Sequence, residues 1–224
     1  MKVLSFDVGI KNLAYCVIDS SDYSIQDWGI LNISPDELCE HVHKGGGCNK
    51  SAKFVIEGCL ICSAHRNLKK YRECPVKKKP KSKNQLIGMG KNIMTCLGKH
   101  PNFLEVDVVL IENQPALKNP TMKSVQMMVY SYFLMQGVCD DKSCIDTIEL
   151  ISARNKLKAY TGPDIACDIK DKYKKTKYLG IKYCEYMISH NSNISEEFCN
   201  MFEDSKKKDD LADSYLQGMY WLTK

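Results

Sequence analysis

Four acidic side chains lie at the ends of predicted buried elements, where an ionised carboxylate needs a cation beside it. Asp7 and Glu112 each follow a short apolar run with the pattern of a buried strand. Asp210 and Asp213 are three residues apart in a helical pattern, which puts them about 60° apart on one face. Such oxygen ligands suit Mg²⁺ or Mn²⁺, and two ions about 4 Å apart can drive phosphodiester hydrolysis. Each acid alone has another explanation, since Asp7 could belong to a turn and Asp209-Asp210 could cap a helix. Together the four acids predict a metal site.

Cysteines and histidines are concentrated in one segment, which predicts a second metal site. The chain has twelve cysteines, and five of them lie between residues 39 and 74. Soft ligands at this spacing are typical of a tetrahedral structural Zn²⁺ site. The predicted zinc ligands are Cys48, Cys59, Cys62 and His65. The competing ligands are Cys39, His41, His43 and Cys74, and free thiols in an unfolded loop are the alternative to zinc.

The end of this segment is strongly basic. Residues 66–83 contain nine lysines and arginines and one acidic residue, Glu73, whereas the whole chain has a formal charge of +5. A polyanion such as DNA is therefore a predicted partner. The predicted DNA contacts are Lys69, Lys70, Arg72, Lys77, Lys78 and Lys79. The alternative is a solvated loop that binds nothing.

The composition is that of a globular protein. Of 224 residues, 44% are hydrophobic and 26% are charged, which predicts one domain over residues 1–224 with an inserted segment at 39–83. No apolar run reaches the roughly 18 residues of a membrane span, and the chain opens on a strand pattern rather than a signal segment. We therefore expect a soluble, intracellular protein with no membrane partner.

The periodicity of the chain predicts an α/β fold that would position these side chains. Strands are predicted at 2–6, 13–18, 25–33, 106–111 and 146–151. Helices are predicted at 84–99, 121–136, 175–189 and 209–222, with a further helix start at 34–37. The short turns between the first three strands favour an antiparallel meander within a mixed five-stranded sheet flanked by helices.

Three motifs carry a resemblance to a known family. The segments SFDVGIKNLAYCVID at 5–19, VVLIENQP at 108–115 and KKDDLADSYLQG at 207–218 appear in that order. They resemble the motifs of the Holliday junction resolvases of poxviruses, other large DNA viruses and fungal mitochondria. Those enzymes are RuvC-like members of the ribonuclease-H-like fold. The resemblance implies that fold here, and it covers most of the chain outside the inserted segment.

The resemblance also implies site residues. It implies a metal-binding tetrad of Asp7, Glu112, Asp210 and Asp213, with two Mg²⁺ or Mn²⁺ ions per active site. The family has a catalytic lysine near its penultimate helix, and KYKKTKYLGI at 172–181 is the matching segment. Lys177 is the predicted catalytic lysine, with Lys175 as the second choice and a solvated basic helix start as the alternative.

The implied function is a structure-selective, metal-dependent endonuclease that resolves four-way DNA junctions as a homodimer. If the chain is viral, the expected location is the host cytoplasm, in a virus factory, or the virion. The inserted segment has no counterpart in the bacterial enzymes. The alternatives are a non-catalytic, zinc-containing DNA-binding protein and a ribonuclease acting on RNA–DNA hybrids. An actin-like ATPase would need a second phosphate-binding Asp-x-Gly hairpin and usually a longer chain, and we identify neither.

Overall fold

The computed structural model describes residues 1–34, 38–43, 46–48, 50–78, 85–117 and 119–224. The chain forms two compact units. We call residues 1–33 with 90–224 the sheet unit, and residues 34–89 the cysteine unit. The predicted insertion at 39–83 falls inside the cysteine unit. Residues 35–37 of the predicted helix start, and the predicted DNA contact Lys79, lie outside the described residues.

Strands are numbered along the whole chain. They are β1 (Lys2–Val8), β2 (Asn12–Asp19), β3 (Ile25–Asn32), β4 (Val42–His43), β5 (Gly46–Gly47), β6 (Phe54–Ile56), β7 (Cys59–Ile61), β8 (Val76–Lys78), β9 (Val108–Glu112) and β10 (Thr147–Ile151). The helices are α1 (Lys69–Arg72), α2 (Gln85–Leu97), α3 (Pro120–Phe133), α4 (Lys172–His190), α5 (Glu196–Asp204) and α6 (Lys208–Thr223). Within the described residues, no helix has both the length and the apolar content needed to span a membrane.

The sheet unit contains the predicted mixed five-stranded sheet, in the order β10-β9-β1-β2-β3. Strands β1, β2 and β3 form an antiparallel meander, whereas β9 runs parallel to both β1 and β10. The predicted meander is therefore confirmed. The turn after β1 is tight, because a Cβ at Gly9 would lie 2.7 Å from the carbonyl oxygen of Asn12. The N–H of Gly9 donates to that same oxygen at 3.0 Å.

Both faces of the sheet are covered, which explains the near-continuous apolar runs in its central strands. All five residues of β9 are buried. On one face, the ring of Phe6 lies 5.9 Å from that of Phe103 and 5.5 Å from that of Phe133. On the other face, α6 contributes Leu211 and Tyr215 to a buried cluster that also includes residues of β2 and β3. The sheet is therefore the middle layer of this unit.

Helix α6 is held close to β1 and β2. A Cβ at Gly218 would lie 2.8 Å from Cδ1 of Ile18, so any larger residue would force the Ile18 side chain or the helix to shift. One residue earlier, the Gln217 side-chain amide donates to Ser5 Oγ at 3.1 Å and to the Phe6 carbonyl at 3.2 Å. Because both acceptors belong to β1, these bonds fix the position of α6 along that strand.

Some elements differ from the sequence prediction. Helix α5 and a 3₁₀ turn at Lys156–Ala159 were not predicted. The regular part of helix α3 ends at Phe133, and a π-helical turn, Leu134–Val138, follows it. The sequence predicted a regular helix up to residue 136. Helix α4 begins three residues earlier than predicted, because the side chain of Asp171 caps it by accepting from the N–H of Lys174 at 2.7 Å.

Candidate functional site

Three of the predicted acids meet at one edge of the sheet. Asp7 is near the end of β1, and Glu112 is the last residue of the neighbouring parallel strand β9. Carboxyl ends of adjacent parallel strands share an edge, so the two side chains lie side by side. Asp213 reaches the same place from α6, one turn before the residue that anchors this helix to β1. We call Asp7, Glu112, Asp213 and the lysine described next the acidic site.

Lys156 is at the centre of this site. Its Nζ lies 3.8 Å from Asp7 Oδ1 and 3.7 Å from Glu112 Oε1, and it contacts Asp213 Oδ2 more closely still. The residue is only 7% exposed, so these carboxylates, not water, solvate its charge. Sequence reasoning missed Lys156, although a signal existed. It lies five residues past the end of β10, the third parallel strand, and therefore at the same edge of the sheet.

Burial and crowding shape the electrostatics of the acidic site. Burial, and then the charge of Glu112, raise the pKa of Asp7 well above its ordinary value. Burial also raises the pKa of Asp213. Burial would lower the pKa of Lys156, but Asp213, Asp7 and Glu112 outweigh it, and the pKa of this lysine is raised. The ammonium group is therefore charged at any physiological pH, while the carboxylates repel one another.

A buried amide holds the carboxylate of Glu112 in place. Gln114 Nε2 donates to Glu112 Oε2 at 2.6 Å and to the carbonyl of Val8 at 3.3 Å. The backbone N–H of Gln114 donates in turn to Oε1 of Gln126, a fully buried residue of α3. Glu112 is thus fixed from both the β1 side and the α3 side, which leaves its second oxygen directed at Lys156.

The remaining predicted residues of this site have other contacts. Asp210 forms an ion pair with Lys207, at 3.6 Å, and not with Lys156. Lys177 donates to Asp209 Oδ2 at 2.5 Å, and its amine lies 5.1 Å from the ring centroid of Tyr173. Burial alone would raise the pKa of Asp209, but the hydrogen bond from Lys177 holds that pKa below its ordinary value.

The structure therefore brings Asp7, Glu112 and Asp213 together around Lys156, and pairs Lys177 with Asp209, four residues before Asp213 on α6. Lys175, the second choice for the catalytic lysine, is exposed on the first turns of α4. The catalytic roles of Lys175, Lys177 and Asp210 stay predictions.

The chemistry of the acidic site fits a divalent metal. Three carboxylates face a single ammonium group, so the cluster keeps a net charge of about −2 when all three are ionised. The donors are all carboxylate oxygens, which suit the hard ions Mg²⁺ and Mn²⁺. A divalent ion would balance this charge and relieve the repulsion that raises the pKa of Asp7.

The cysteine unit contains a second group of converging side chains. One ligand atom from each of four residues lies within 4.8 Å of the others, and three of the four residues are buried. We call this set the cysteine group; its members are Cys39, Cys48, Cys62 and His65. Within the described residues, no second cluster of cysteines and histidines of this kind is found.

The cysteine group agrees with the predicted zinc ligands at Cys48, Cys62 and His65 and differs from them at the fourth position. Cys59 is exposed, whereas Cys39 is 4% exposed and lies 3.4 Å from His65 Nδ1. Cys59 starts strand β7, in which Ile61 takes the buried position. The Cys59-x2-Cys62 spacing thus falls on a strand rather than on a metal-binding turn.

Other candidates for zinc ligation have different partners. His41 Nδ1 lies 3.0 Å from the hydroxyl of Tyr71, and its ring centroid lies 4.1 Å from that of His65. Cys74 Sγ donates to Glu57 Oε1 at 3.5 Å. Burial, and then His41 and His43, lower the pKa of His65, which favours the neutral imidazole that binds metals.

The predicted DNA-binding residues are exposed on two small elements. Lys69, Lys70 and Arg72 lie on α1, and Lys77 and Lys78 lie on β8. Strand β8 pairs with β6, where Lys77 faces Val55 and Lys78 faces Phe54 in the register. Residues 76–78 of the basic segment are thus part of a folded sheet. Its binding to DNA stays a prediction.

No protein-family model matches the chain. An uncharacterised protein of Acanthamoeba polyphaga mimivirus is 32% identical, over an alignment that covers 95% of the chain and 57% of the relative. The chain therefore spans little more than half the length of this curated relative.

Solved structures with a similar fold include two resolvases. The yeast mitochondrial Holliday junction resolvase Ydc2 matches 98% of the chain, and 78% of the resolvase, with a TM-score of 0.53 and 17% identity. A fowlpox virus resolvase, solved with Holliday junction DNA, matches 99% of the chain and 97% of its own length, with a TM-score of 0.45 and 16% identity. The first likeness confirms the ribonuclease-H-like, RuvC-type fold that the motifs predicted.

Proposed function

We propose that the chain is a metal-dependent endonuclease that cuts four-way DNA junctions. The observation that carries the proposal is the convergence of Asp7, Glu112 and Asp213 on one edge of the sheet. Three acids whose side chains are only 11–26% exposed are costly to a fold when they lie together, and a phosphodiester-cleaving metal site would explain why they are there. The order of the three resolvase-like motifs supports the choice of junction DNA as substrate.

In this proposal Asp7, Glu112 and Asp213 hold Mg²⁺ or Mn²⁺, and Asp210 completes the ligand set from the same helix, α6. When bound, two such ions would activate the attacking water and stabilise the leaving 3′ oxygen. The chain's own contribution is positional. Gln114 fixes the direction of Glu112, and Gln217 sets α6, and with it Asp213, against β1.

The proposal assigns different tasks to two lysines. Lys156 offsets the mutual repulsion of the three acids, since its buried ammonium is their only basic side-chain contact within the described residues. Lys177 lies closer to solvent, with a side chain 42% exposed, and is available to offset charge on the DNA phosphate. This division replaces a single catalytic lysine with an inner one and an outer one.

Resolving a junction requires two opposed cuts, so the proposal includes a homodimer with one acidic site per subunit. Sedimentation of the purified protein, alone and with a junction, tests this part. A dimer is expected in the complex. A monomer bound one to one to a junction that it still resolves would contradict it.

The proposal as a whole is tested by cleavage of a synthetic four-way junction in Mg²⁺, with a linear duplex and an RNA–DNA hybrid of the same sequence as controls. Paired cuts in opposite strands of the junction, with the controls left intact, are the expected result. Preferred cutting of the hybrid would instead assign the site to a ribonuclease. Binding without any cutting, in Mg²⁺ and in Mn²⁺, would favour a non-catalytic DNA-binding protein.

A further inference from the structure

The separations within the cysteine group are those of ligands around one tetrahedral metal ion. Sγ of Cys48 and Sγ of Cys62 are 4.0 Å apart. Nδ1 of His65 lies 3.6 Å from Sγ of Cys62 and 3.4 Å from Sγ of Cys39. Around tetrahedral Zn²⁺, typical bond lengths place two sulfurs roughly 3.8 Å apart, and a sulfur and a nitrogen roughly 3.6 Å apart.

The local backbone also has the form of a metal-binding turn. The N–H of His65 donates to Sγ of Cys62 at 3.5 Å, and the N–H of Arg66 donates to the carbonyl of Cys62 at 3.0 Å. The first bond directs a donor at sulfur, which stabilises a thiolate. Cys39 and Cys48 flank the β4–β5 hairpin, which brings them together, since the N–H of Cys48 donates to the carbonyl of His41.

The core of the cysteine unit consists largely of these ligands. Its buried apolar cluster has six members, which are Cys39, Cys48, Ile56, Ile61, Cys62 and Tyr71. Half of that cluster is therefore cysteine, and the larger side chains that exclude water are the other three members and the partly buried Phe54 and Val76. A unit of this size with so small a core is usually stabilised by a metal or by disulfides. All twelve cysteines of the chain are free thiols, so a metal is the remaining candidate.

We infer that Cys39, Cys48, Cys62 and His65 form a structural Zn²⁺ site that stabilises the fold of residues 34–89. Three thiolates and an imidazole occupy all four tetrahedral positions, as in structural zinc sites, so no position is left for a reacting water. Cys62 directly follows β7, the sheet partner of β6, and β6 also carries the basic strand β8. Zinc would therefore order the strand that presents Lys77 and Lys78. The site itself does not depend on the nuclease activity.

The test is elemental analysis of full-length protein purified under reducing conditions without chelators. About one zinc per chain is expected in the wild type. Cys39→Ser should lose at least about tenfold in zinc affinity, while the matched control Cys59→Ser keeps its zinc. Equal zinc in Cys39→Ser and wild type would overturn the assignment, as would loss of zinc from Cys59→Ser alone.

Two further measurements cover the case in which Cys39→Ser fails to fold. His65→Cys preserves four soft ligands and should retain zinc, whereas His65→Ala should lose it. In the wild type, removal of zinc by a strong chelator should make three more thiols reactive towards a thiol reagent. Freshly reduced wild type without zinc would overturn the proposal whether or not the protein cuts DNA, and so would a disulfide between Cys48 and Cys62 in the protein before reduction.

Discussion

The acidic site and the cysteine group both gather side chains of one chemical type, but they are held in opposite ways. The acids come from distant elements of a large core, and packing and hydrogen bonds such as those of Gln217 position them. The cysteines come from one short segment and make up half of the small core around them. We therefore expect a metal at the acidic site to serve chemistry and to exchange, and a metal at the cysteine group to serve folding.

The largest effect expected from this contrast is on catalysis. Asp7→Asn, Glu112→Gln and Asp213→Asn should each reduce junction cleavage by about 10³-fold or more, because each removes metal charge with little change of volume. Junction binding and zinc content should stay near wild type. Gel-based cleavage rates and a binding titration measure both. Asp146→Asn, an exposed acid at the opposite end of β10, is the matched control.

If one of these three variants cut the junction at the wild-type rate, the residue replaced in it would not be a ligand of the catalytic metal. Asp210→Asn belongs to the same series. Its ion pair with Lys207 is partly exposed, so a loss of cleavage there would come from metal binding and not from stability.

The second effect separates the two lysines of the proposed site. Lys156→Met keeps much of the side-chain volume but leaves three carboxylates without their ammonium, and should reduce cleavage by about 10²-fold. It should also make thermal stability depend strongly on Mg²⁺. Lys177→Met should cost about tenfold or less, since the ion pair of Lys177 with Asp209 is partly exposed to solvent. Stability without Mg²⁺ should barely change for Lys177→Met. If Lys177→Met lost more cleavage activity than Lys156→Met, the inner role would belong to Lys177.

The third effect is a pH dependence of the metal-free acidic site. The pKa of Asp7 is raised by burial and by Glu112, so the folded state keeps a proton that the unfolded chain releases near pH 4. Stability should therefore fall as pH rises from about 4 through the raised pKa. Asp7→Asn removes this loss and should stabilise the protein by on the order of 1 kcal/mol at neutral pH.

Thermal melts of wild type and Asp7→Asn from pH 4 to 8, dialysed free of Mg²⁺ with zinc retained, measure this difference. The difference in stability between the two proteins should vanish near pH 4. A wild type that gains stability over the same range, relative to Asp7→Asn, would show that Asp7 is stabilised as a carboxylate even without metal.

The smallest effect concerns the cysteine unit. Replacing both Lys77 and Lys78 with Ala should weaken junction binding several-fold while zinc content stays unchanged, because both side chains are exposed on β8. The slope of log affinity against log salt should fall by up to about 0.9 for each phosphate that the variant no longer neutralises. An unchanged slope would mean that DNA binding lies wholly in the sheet unit.

The two regions also differ in how far the sequence predicted them. The five strands and the acids at their ends followed from apolar runs and from motifs, because a buried strand that ends in a carboxylate leaves a local signal. Lys156 left no such local signal. Its role depends on the parallel pairing of β9 with β10, which is a long-range contact. Reading β10 as the third parallel strand would have directed attention to the residues that follow it.

The cysteine group shows the same limit at shorter range. The spacing Cys59-x2-Cys62 matched a zinc motif, yet the hairpin of β6 and β7 directs Cys59 to solvent. Cys39 was only one of several competing ligands, because the pairing of β4 with β5 that brings it to Cys48 involves two-residue strands without an apolar pattern. Spacing therefore predicted the kind of site, and three of the four predicted ligands belong to the cysteine group.

The most direct test of the account is Mn²⁺ binding to zinc-loaded protein, followed by the decrease of the free Mn²⁺ signal in electron paramagnetic resonance. Wild type and Cys59→Ser should bind Mn²⁺ alike, and Mg²⁺ should compete. Asp7→Asn should bind Mn²⁺ at least about tenfold more weakly while its zinc content stays unchanged. Equal Mn²⁺ binding by Asp7→Asn and wild type would contradict the claim that the acids at the sheet edge are a metal site.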